Sequence, residues 1–206
     1  MKKIMFICLA ITISIGQQSI AGTSGKTIEN LKAAFKGEST ASAKYAAFAL
    51  QAKEEGLLQI ATMFEATSRS EQIHASNHQA VLEKLGEKTE HVSPEYKIKT
   101  TKENLEDAIK GENYEMTTMY PGFIAAANTE DVIAAQKSFR WAMDTEKKHL
   151  VMYQNALNAL NAKKTDILPK VYWVCPKCGN TYDVAKPEAS CSFCSTKSEK
   201  FIKFGK

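Results

Sequence analysis

Four helical stretches between Thr27 and Asn161 carry glutamate and histidine where a helix bundle needs apolar side chains. The region is poor in glycine and proline and rich in alanine, leucine, glutamate, lysine and glutamine, which favour helices. Along each helix, residues spaced three or four apart form the inward face. All four inward faces contain at least one carboxylate near the middle. Because each unpaired buried charge costs roughly several kcal/mol, the folded chain needs positive charges that offset these carboxylates.

Turn residues predict the first half of the bundle. Helix A is expected from about Thr27, as its N-cap, to a stop at Glu54–Gly56. Helix B is expected from Leu57 to Leu85, with Gly86 ending it. The polar segment 87–100 is long enough to cross the length of a bundle.

The second half is predicted in the same way. Helix C is expected over 101–127, with Pro121 kinking it or breaking its final turn. Asn128 and Thr129 are the expected cap of helix D, which continues to about Asn161. Short, long and short connections are typical of a ferritin-like four-helix bundle, whereas a simple up-down bundle uses short loops throughout.

The inward carboxylates form a metal-ligand pattern. Di-iron carboxylate bundles use one glutamate from each of two helices and a Glu-x-x-His pair from each of the other two. One such pair is common by chance, but two pairs matched by carboxylates on the other helices favour iron or manganese. His78 is interpreted as a core or supporting histidine rather than a ligand. The candidate ligands are Glu38, Glu71, His74, Glu112, Glu115, Glu146 and His149.

A second module follows the bundle. The composition changes at Lys170 to glycine, proline, cysteine and aromatic residues, so we expect a bundle over 22–165 and a small domain over 170–206. Two C-x-x-C pairs suit one tetrahedral site for zinc or a single iron ion, and their spacing leaves this choice open. Two disulfides are the alternative, although adjacent pairs would form strained small rings. The four cysteines are Cys175, Cys178, Cys191 and Cys194.

The N-terminus has the pattern of a secretory signal. Two lysines precede the apolar run 4–15, and Ser19–Ala21 fits a small-x-small cleavage site. We therefore expect a signal peptide over 1–21 and export, to the periplasm, of a protein with no membrane association after cleavage. A retained anchor is the alternative, but the run is short for a membrane span. Cys8, the fifth cysteine, would leave with the signal.

The charge distribution argues against nucleic-acid binding. The formal net charge is +4, from 27 basic and 23 acidic residues spread along the chain. Nucleic-acid binding requires basic residues clustered on one surface. The tail over 170–206 carries seven lysines against three acids, whereas 22–169 has a slight acidic excess. The near-neutral total therefore combines two regions of opposite sign.

Taken together, these motifs resemble the rubrerythrin family, which joins a ferritin-like di-iron bundle to a C-terminal rubredoxin-like Fe(Cys)₄ domain. Two features depart from the family pattern. Ser192 stands where the second cysteine pair usually has proline, and a signal peptide precedes a domain most often found in cytoplasmic proteins. The matching stretches are Gly37–Ala41 with Tyr45, Glu71–Ala75, Gly111–Glu115 with Tyr120–Pro121, Glu146–His149, and Cys175–Gly179.

The resemblance implies specific roles for these residues. Glu71 and Glu146 would bridge two iron ions. One ion would be held by Glu38 with Glu115 or, in the reduced state, His74, because these two ligands exchange in the family. The other ion would be held by Glu112 and His149. Tyr45 and Tyr120 match tyrosines that stand behind the ligands, and the four cysteines match the ligands of the mononuclear iron.

The function implied is a non-haem di-iron peroxidase that reduces hydrogen peroxide to water in defence against oxidative stress. The tetrathiolate iron of the tail would relay electrons from an unidentified donor protein. The resemblance also implies a homodimer or higher oligomer in which the tail of one subunit faces the cluster of another.

Three alternatives remain open. A ferroxidase or iron-storage protein would use the same bundle, but it has no use for the tail. A di-iron oxygenase would need an apolar substrate cavity. A non-catalytic zinc-binding protein would leave the buried carboxylates unexplained.

Overall fold

The computed structural model describes residues 25–206, so the expected signal peptide and its cleavage site lie outside the described range. Helix α1 (Gly25–Glu54) and helix α2 (Leu58–Lys84) are joined by a tight turn in which Gly56 has φ +76°. The non-helical segment 87–100 then leads to the second half of the bundle.

The third helix of the bundle is interrupted. Helix α3 (Thr101–Tyr114) is followed by a π-helical turn (Glu115–Met119) and helix α4 (Tyr120–Thr129), and helix α5 (Ile133–Asn161) completes the bundle. Thr100 caps α3 in a capping box with Glu103. The predicted mainly helical, ferritin-like bundle with a long crossover is confirmed.

Pro121 disturbs its helix in a different place from the one predicted. It lies in the first turn of α4, and the irregularity is the π turn before it. A proline has no N–H, and its ring collides with the carbonyl four residues earlier. The wider π turn accommodates this ring without ending the helix.

Two predicted helix caps are wrong. Helix α1 already includes Gly25, and the Glu130 carboxylate accepts hydrogen bonds from the N–H groups of Lys26 at 3.1 Å and Thr27 at 2.9 Å. Thr27 is therefore inside the helix, and its cap comes from the distant turn between α4 and α5.

Asn128 and Thr129 end α4 and do not begin α5. The chain reverses at Asp131, which has φ 52°, and the N–H of Val132 donates to the carbonyl of Ala127 at 3.0 Å. This closure satisfies carbonyls at the C-terminus of α4. The helix consequently runs past the residues whose side chains predicted a new start.

Two apolar clusters fill the bundle. One contains Tyr45, and the other contains Tyr120 and Phe139. Both tyrosines donate hydrogen bonds to carboxylates of the metal centre described below. The polar centre is therefore held from both sides by residues of the apolar core.

The tail forms a three-stranded antiparallel sheet of order β2-β1-β3. Its strands are β1 (Val171–Val174), β2 (Thr181–Tyr182) and β3 (Ile202–Gly205). The sheet lies against α2 and α5 of the same chain. Within 25–206, no helix is both long enough and apolar enough to cross a membrane.

Candidate metal centres

Six of the seven predicted carboxylate and histidine ligands come together in the middle of the bundle. They form two overlapping groups, and within each group the potential ligand atoms lie within 4.8 Å of one another. All six side chains are at most 2% exposed. One group is Glu38, Glu71, His74 and Glu146, and the other is Glu71, Glu112, Glu146 and His149.

Glu71 and Glu146 belong to both groups, and each places one oxygen beside each histidine. Glu71 Oε2 lies 2.9 Å from Nδ1 of His74, and Glu71 Oε1 lies 2.9 Å from Nδ1 of His149. Glu146 Oε1 lies 2.9 Å from His74 Nδ1, and Glu146 Oε2 lies 2.8 Å from His149 Nδ1. Two carboxylates shared between two histidines suit the bridging positions of a dinuclear site.

The two remaining carboxylates are each fixed by a tyrosine from a different helix. Tyr45 on α1 donates to Glu112 Oε1 on α3 at 2.6 Å, and Tyr120 on α4 donates to Glu38 Oε1 on α1. These bonds leave Glu38 Oε2 free to face the centre. The tyrosines thus orient the carboxylates that belong to only one group.

Glu115 lies outside both groups among the described residues. It is half-buried and begins the π turn between α3 and α4. Burial, followed by the charges of Glu146 and Glu71, raises the pKa of Glu115 well above its usual value. The structure therefore has His74 in the centre, whereas Glu115 lies near it and outside both groups.

The buried atoms fit bound metal ions. Within 25–206, several ligand atoms are buried without a partner in hydrogen-bond geometry, although some are in close contact with one another. Such atoms are costly unless a cation binds them. They are Glu38 Oε2, Glu71 Oε1, both oxygens of Glu146, and His149 Nδ1. This donor set of carboxylates and imidazoles fits a di-iron site.

Without a bound metal ion, protons on the ligands would offset the negative charge of the carboxylates. Burial alone would lower the pKa of His74, but the Glu146 carboxylate raises it to about 10. Burial opposes protonation of His149 in the same way, and Glu71 raises its pKa to about 9. Burial raises the pKa of Glu38 and Glu112 well above the usual value, with the neighbouring carboxylates adding to the effect. Metal binding would therefore displace protons.

His78 is buried behind the ligands and belongs to neither group. Its Nδ1 lies 2.8 Å from Ser138 Oγ, and its Nε2 lies 3.1 Å from Tyr120 Oη. The interpretation of His78 as a supporting histidine therefore fits its contacts. Ser138 was not predicted from the sequence, although a serine next to the core residue Phe139 was an available signal.

The four cysteines of the tail form a third potential metal site. Cys175 and Cys194 have their Sγ atoms 3.5 Å apart, as do Cys178 and Cys191. These distances exceed an S–S bond length, and all four thiols are free, which rejects the disulfide alternative. The four Sγ atoms lie within 4.8 Å of one another. They fit a rubredoxin-like Fe(Cys)₄ site, and zinc would use the same ligands.

Ser192 leaves the second cysteine turn intact. The backbone N–H of Cys191 donates to the carbonyl of Thr196 at 2.8 Å. In the first turn, the N–H of Cys175 donates to the carbonyl of Asn180 in the same way, at 3.0 Å. Ser192 also donates its N–H to Tyr182 Oη at 3.2 Å, a bond that proline could not make. The departure from the family pattern therefore adds a hydrogen bond beside the metal site.

The tail contacts the carboxylate centre of its own chain. Thr181 Oγ1 donates to the carbonyl of Gly179 at 3.1 Å, so it can accept the Nε2–H of His149 at 2.9 Å. This bond would leave His149 Nδ1 to bind a metal ion. A Cβ added at Gly179 would stand 2.3 Å from His74 Nε2, and Gly179 has φ +82°. Sequence spacing gave no signal of these contacts.

A ferritin-like di-iron carboxylate protein with a rubredoxin-like tail is the class that this fold and these sites define. The family model for rubrerythrin matches residues 29–157. Rubrerythrin-2 of Clostridium acetobutylicum is 32% identical over 179 residues, which cover 86% of this chain and 96% of the relative. Nigerythrin of Nitratidesulfovibrio vulgaris is 37% identical over 163 residues, which cover 75% of each chain. The chain belongs to the rubrerythrin family.

Solved structures agree with this assignment. A nigerythrin in a mixed-valence state superposes with a TM-score of 0.77 at 32% identity, covering 93% of this chain and 90% of the nigerythrin chain. A bacterioferritin of Rhodobacter capsulatus shares the fold, with a TM-score of 0.61 at 22% identity over 66% of this chain and 86% of the bacterioferritin. The first likeness covers bundle and tail together.

Proposed function

We propose that this protein is a non-haem di-iron peroxidase that reduces hydrogen peroxide to water in defence against oxidative stress. The observation that carries the proposal is the sharing of Glu71 and Glu146 between two histidines in a buried centre. Two ferrous ions bound there would supply the two electrons that cleave the O–O bond of the peroxide. Membership of the rubrerythrin family supports the same chemistry.

The protein's own residues would position the peroxide and control its surroundings. Glu71 and Glu146 would hold both metal ions, and Tyr45 and Tyr120 fix the outer carboxylates through hydrogen bonds. The centre is almost inaccessible to solvent. A small substrate such as peroxide suits this enclosure better than a large organic one, which disfavours the oxygenase alternative.

The tail would return electrons to the centre. A tetrathiolate iron is a one-electron carrier, and an unidentified donor protein would supply it. The Ser70 hydroxyl donates to the carbonyl of Gly179, the residue after Cys178, at 2.7 Å. Thr181 Oγ1 lies 2.9 Å from His149 Nε2. These contacts join the two sites within one chain. A ferroxidase or iron-storage function would leave them without a use.

These contacts between tail and bundle also affect the role expected for a second subunit. The resemblance implies that the tail of one subunit faces the cluster of another, whereas here the tail lies against its own bundle. Electron return in this chain would therefore need no second subunit. A homodimer remains part of the proposal as an assembly state, and its measurement is the mass of the protein in solution.

An anaerobic assay with substituted tails tests the proposed function. Cys175→Ala removes one tail ligand and none from the bundle, so donor-driven peroxide turnover should stop while pre-reduced protein still reduces one equivalent of peroxide. The matched control is Ser195→Ala, next to Cys194 but outside the ligand set. Iron-loaded wild-type protein that consumes no peroxide would reject the peroxidase function. Equal turnover by the Cys175 variant would reject the relay.

Export to the periplasm is proposed on the N-terminal pattern alone. Mass spectrometry of the protein purified from its native cells should find a chain that begins at Gly22, after Ala21. A chain that retains residues 1–21 would contradict cleavage.

A further inference from the structure

A buried polar chain connects four helices and ends on a carboxylate of the metal centre. Ser138 on α5 contacts His78 on α2 at 2.8 Å, and His78 contacts Tyr120 on α4 at 3.1 Å. Tyr120 donates to Glu38 on α1. Ser138 is the most exposed member, at 4%. The chain is thus a continuous row of hydrogen bonds inside the core.

The surroundings of His78 are apolar, so these bonds need a reason. The ring centroid of Phe139 lies 5.4 Å from that of His78. A polar side chain buried in such a place is costly unless it is hydrogen-bonded, and both ring nitrogens of His78 are bonded. Burial, with a smaller contribution from His74, lowers the pKa of His78 to about 3. The imidazole is therefore neutral near pH 7.

Neutral imidazole carries one proton, and the neighbours determine which nitrogen holds it. With a metal bound, Glu38 is a carboxylate and can only accept, so the single phenol proton of Tyr120 points to it. Tyr120 Oη must then accept from His78, which puts the proton on Nε2. Nδ1 is left as an acceptor for the Ser138 hydroxyl. Each donor in the row therefore points towards Glu38.

We propose that His78 and Ser138 are positioning residues that keep the Tyr120 hydroxyl aimed at Glu38 and polarised towards it. A phenol that accepts a hydrogen bond donates its own proton more strongly, because bonds in a row polarise one another. The expected consequence is a more firmly held Glu38 at one of the two metal positions. The consequence for peroxide reduction rests on the proposed function, whereas the direction of the hydrogen bonds does not.

The opposite half of the centre supplies a matched control. Tyr153 follows His149 by four residues, as His78 follows His74, and its ring meets Tyr45 edge-on with centroids 5.5 Å apart. Its hydroxyl donates to Thr67 Oγ1 at 2.8 Å instead of supporting Tyr45. Thr67→Val therefore removes a buried hydrogen bond of similar length without touching Glu38.

The first experiment measures the histidine proton directly. Protein reconstituted with diamagnetic zinc and labelled with ¹⁵N-histidine is studied by NMR, with the His78 signals identified by their loss in His78→Gln. The expected spectrum shows a protonated Nε2 and an unprotonated Nδ1. A proton on Nδ1, or on both nitrogens, would overturn the proposal. This result does not depend on peroxide activity.

The second experiment measures oxidation of pre-reduced, iron-loaded protein by peroxide in a single turnover. His78→Phe fills the space but has no N–H, and we expect oxidation to slow by about tenfold, the effect of one lost hydrogen bond. His78→Gln can present an N–H close to the Nε2 position and should restore the rate, and Thr67→Val should leave it unchanged.

Two results would contradict the positioning role: a wild-type rate for His78→Phe, or a His78→Gln variant as slow as His78→Phe. Absence of oxidation in the wild type would instead reject the proposed function, and the NMR result would still decide the hydrogen-bond direction.

Discussion

In one half of the carboxylate centre Glu38 accepts from Tyr120, and in the other half Glu112 accepts from Tyr45. Both halves share Glu71 and Glu146 and have one histidine each. Behind the tyrosines the halves differ, because Tyr120 is hydrogen-bonded to His78, whereas Tyr45 packs against aromatic rings, those of Phe64 and Tyr153 among them. The repeated ligand pattern therefore does not make the two metal positions equivalent.

The largest effect is expected from a shared ligand. Glu146→Ala removes a carboxylate from both groups, so both metal positions should lose occupancy, whereas Glu38→Ala should affect one position only. Metal analysis after reconstitution with iron measures the difference. Each variant should keep the tail iron, which serves as an internal standard. Equal losses in the two variants would show that the groups do not share Glu146.

Removing each tyrosine hydroxyl should lower the stability by different amounts in the two halves of the centre. Tyr45→Phe leaves Glu112 without its donor, which costs about 1–3 kcal/mol of unfolding free energy for a buried group. Tyr120→Phe removes the donor to Glu38 and also the partner of His78, so its loss should be the larger. Chemical denaturation of the zinc-loaded variants measures both. A larger loss in Tyr45→Phe would contradict the difference between the halves.

The folding stability of the metal-free protein should respond differently to acid and to base. His74 and His149 have folded-state pKa values of about 10 and about 9, above the ordinary 6.5, so their stabilisation is complete below pH 6.5 and lost as pH rises through these values. The raised pKa values of Glu38 and Glu112 act with the same sign.

Glu71 has the opposite effect on the pH dependence of stability, because its pKa is lowered. Its pKa is about 2, so its stabilisation is present above 4.5 and lost as pH falls through about 2. Urea denaturation of the metal-free protein should show falling stability from about pH 7 to about pH 10. Zinc-loaded protein is the control, because the metal replaces the protons. Equal pH profiles with and without zinc would contradict this account.

The smallest effect is expected where the bundle meets the tail. Lys148 donates to Asn180 Oδ1 at 2.6 Å and lies 4.5 Å from the Tyr182 ring centroid. Lys148→Met should weaken this contact by roughly 0.5–2 kcal/mol and speed hydrogen exchange of the tail amides. The control is Lys147→Met, because Lys147 is exposed and pairs with Asp144. Similar exchange in both variants would show that Lys148 does not hold the tail.

The sequence predicted which carboxylates and histidines lie together more accurately than it predicted the backbone around them. Spacing of three or four residues put glutamate and histidine on inward faces, and the fold brought six of those residues together. The predicted cap at Thr27 was wrong because a distant side chain, the Glu130 carboxylate, caps α1. The predicted cap at Thr129 was wrong because α4 continues through Thr129 and closes where the N–H of Val132 donates to the carbonyl of Ala127. The π turn before Pro121 was missed because local rules predict where a helix is disturbed and not how it adjusts.

Local chemistry in the sequence alone determined the helical bundle, the two Glu-x-x-His pairs and the tetrathiolate module, because periodicity and ligand spacing are properties of neighbouring residues. Only the tertiary structure decided that Glu115 stays outside both groups, that the tail rests on its own bundle at Thr181, and that Ser138 and His78 stand behind Tyr120. Those contacts join residues far apart in the chain, so only the packing of the helices and of the tail brings them together.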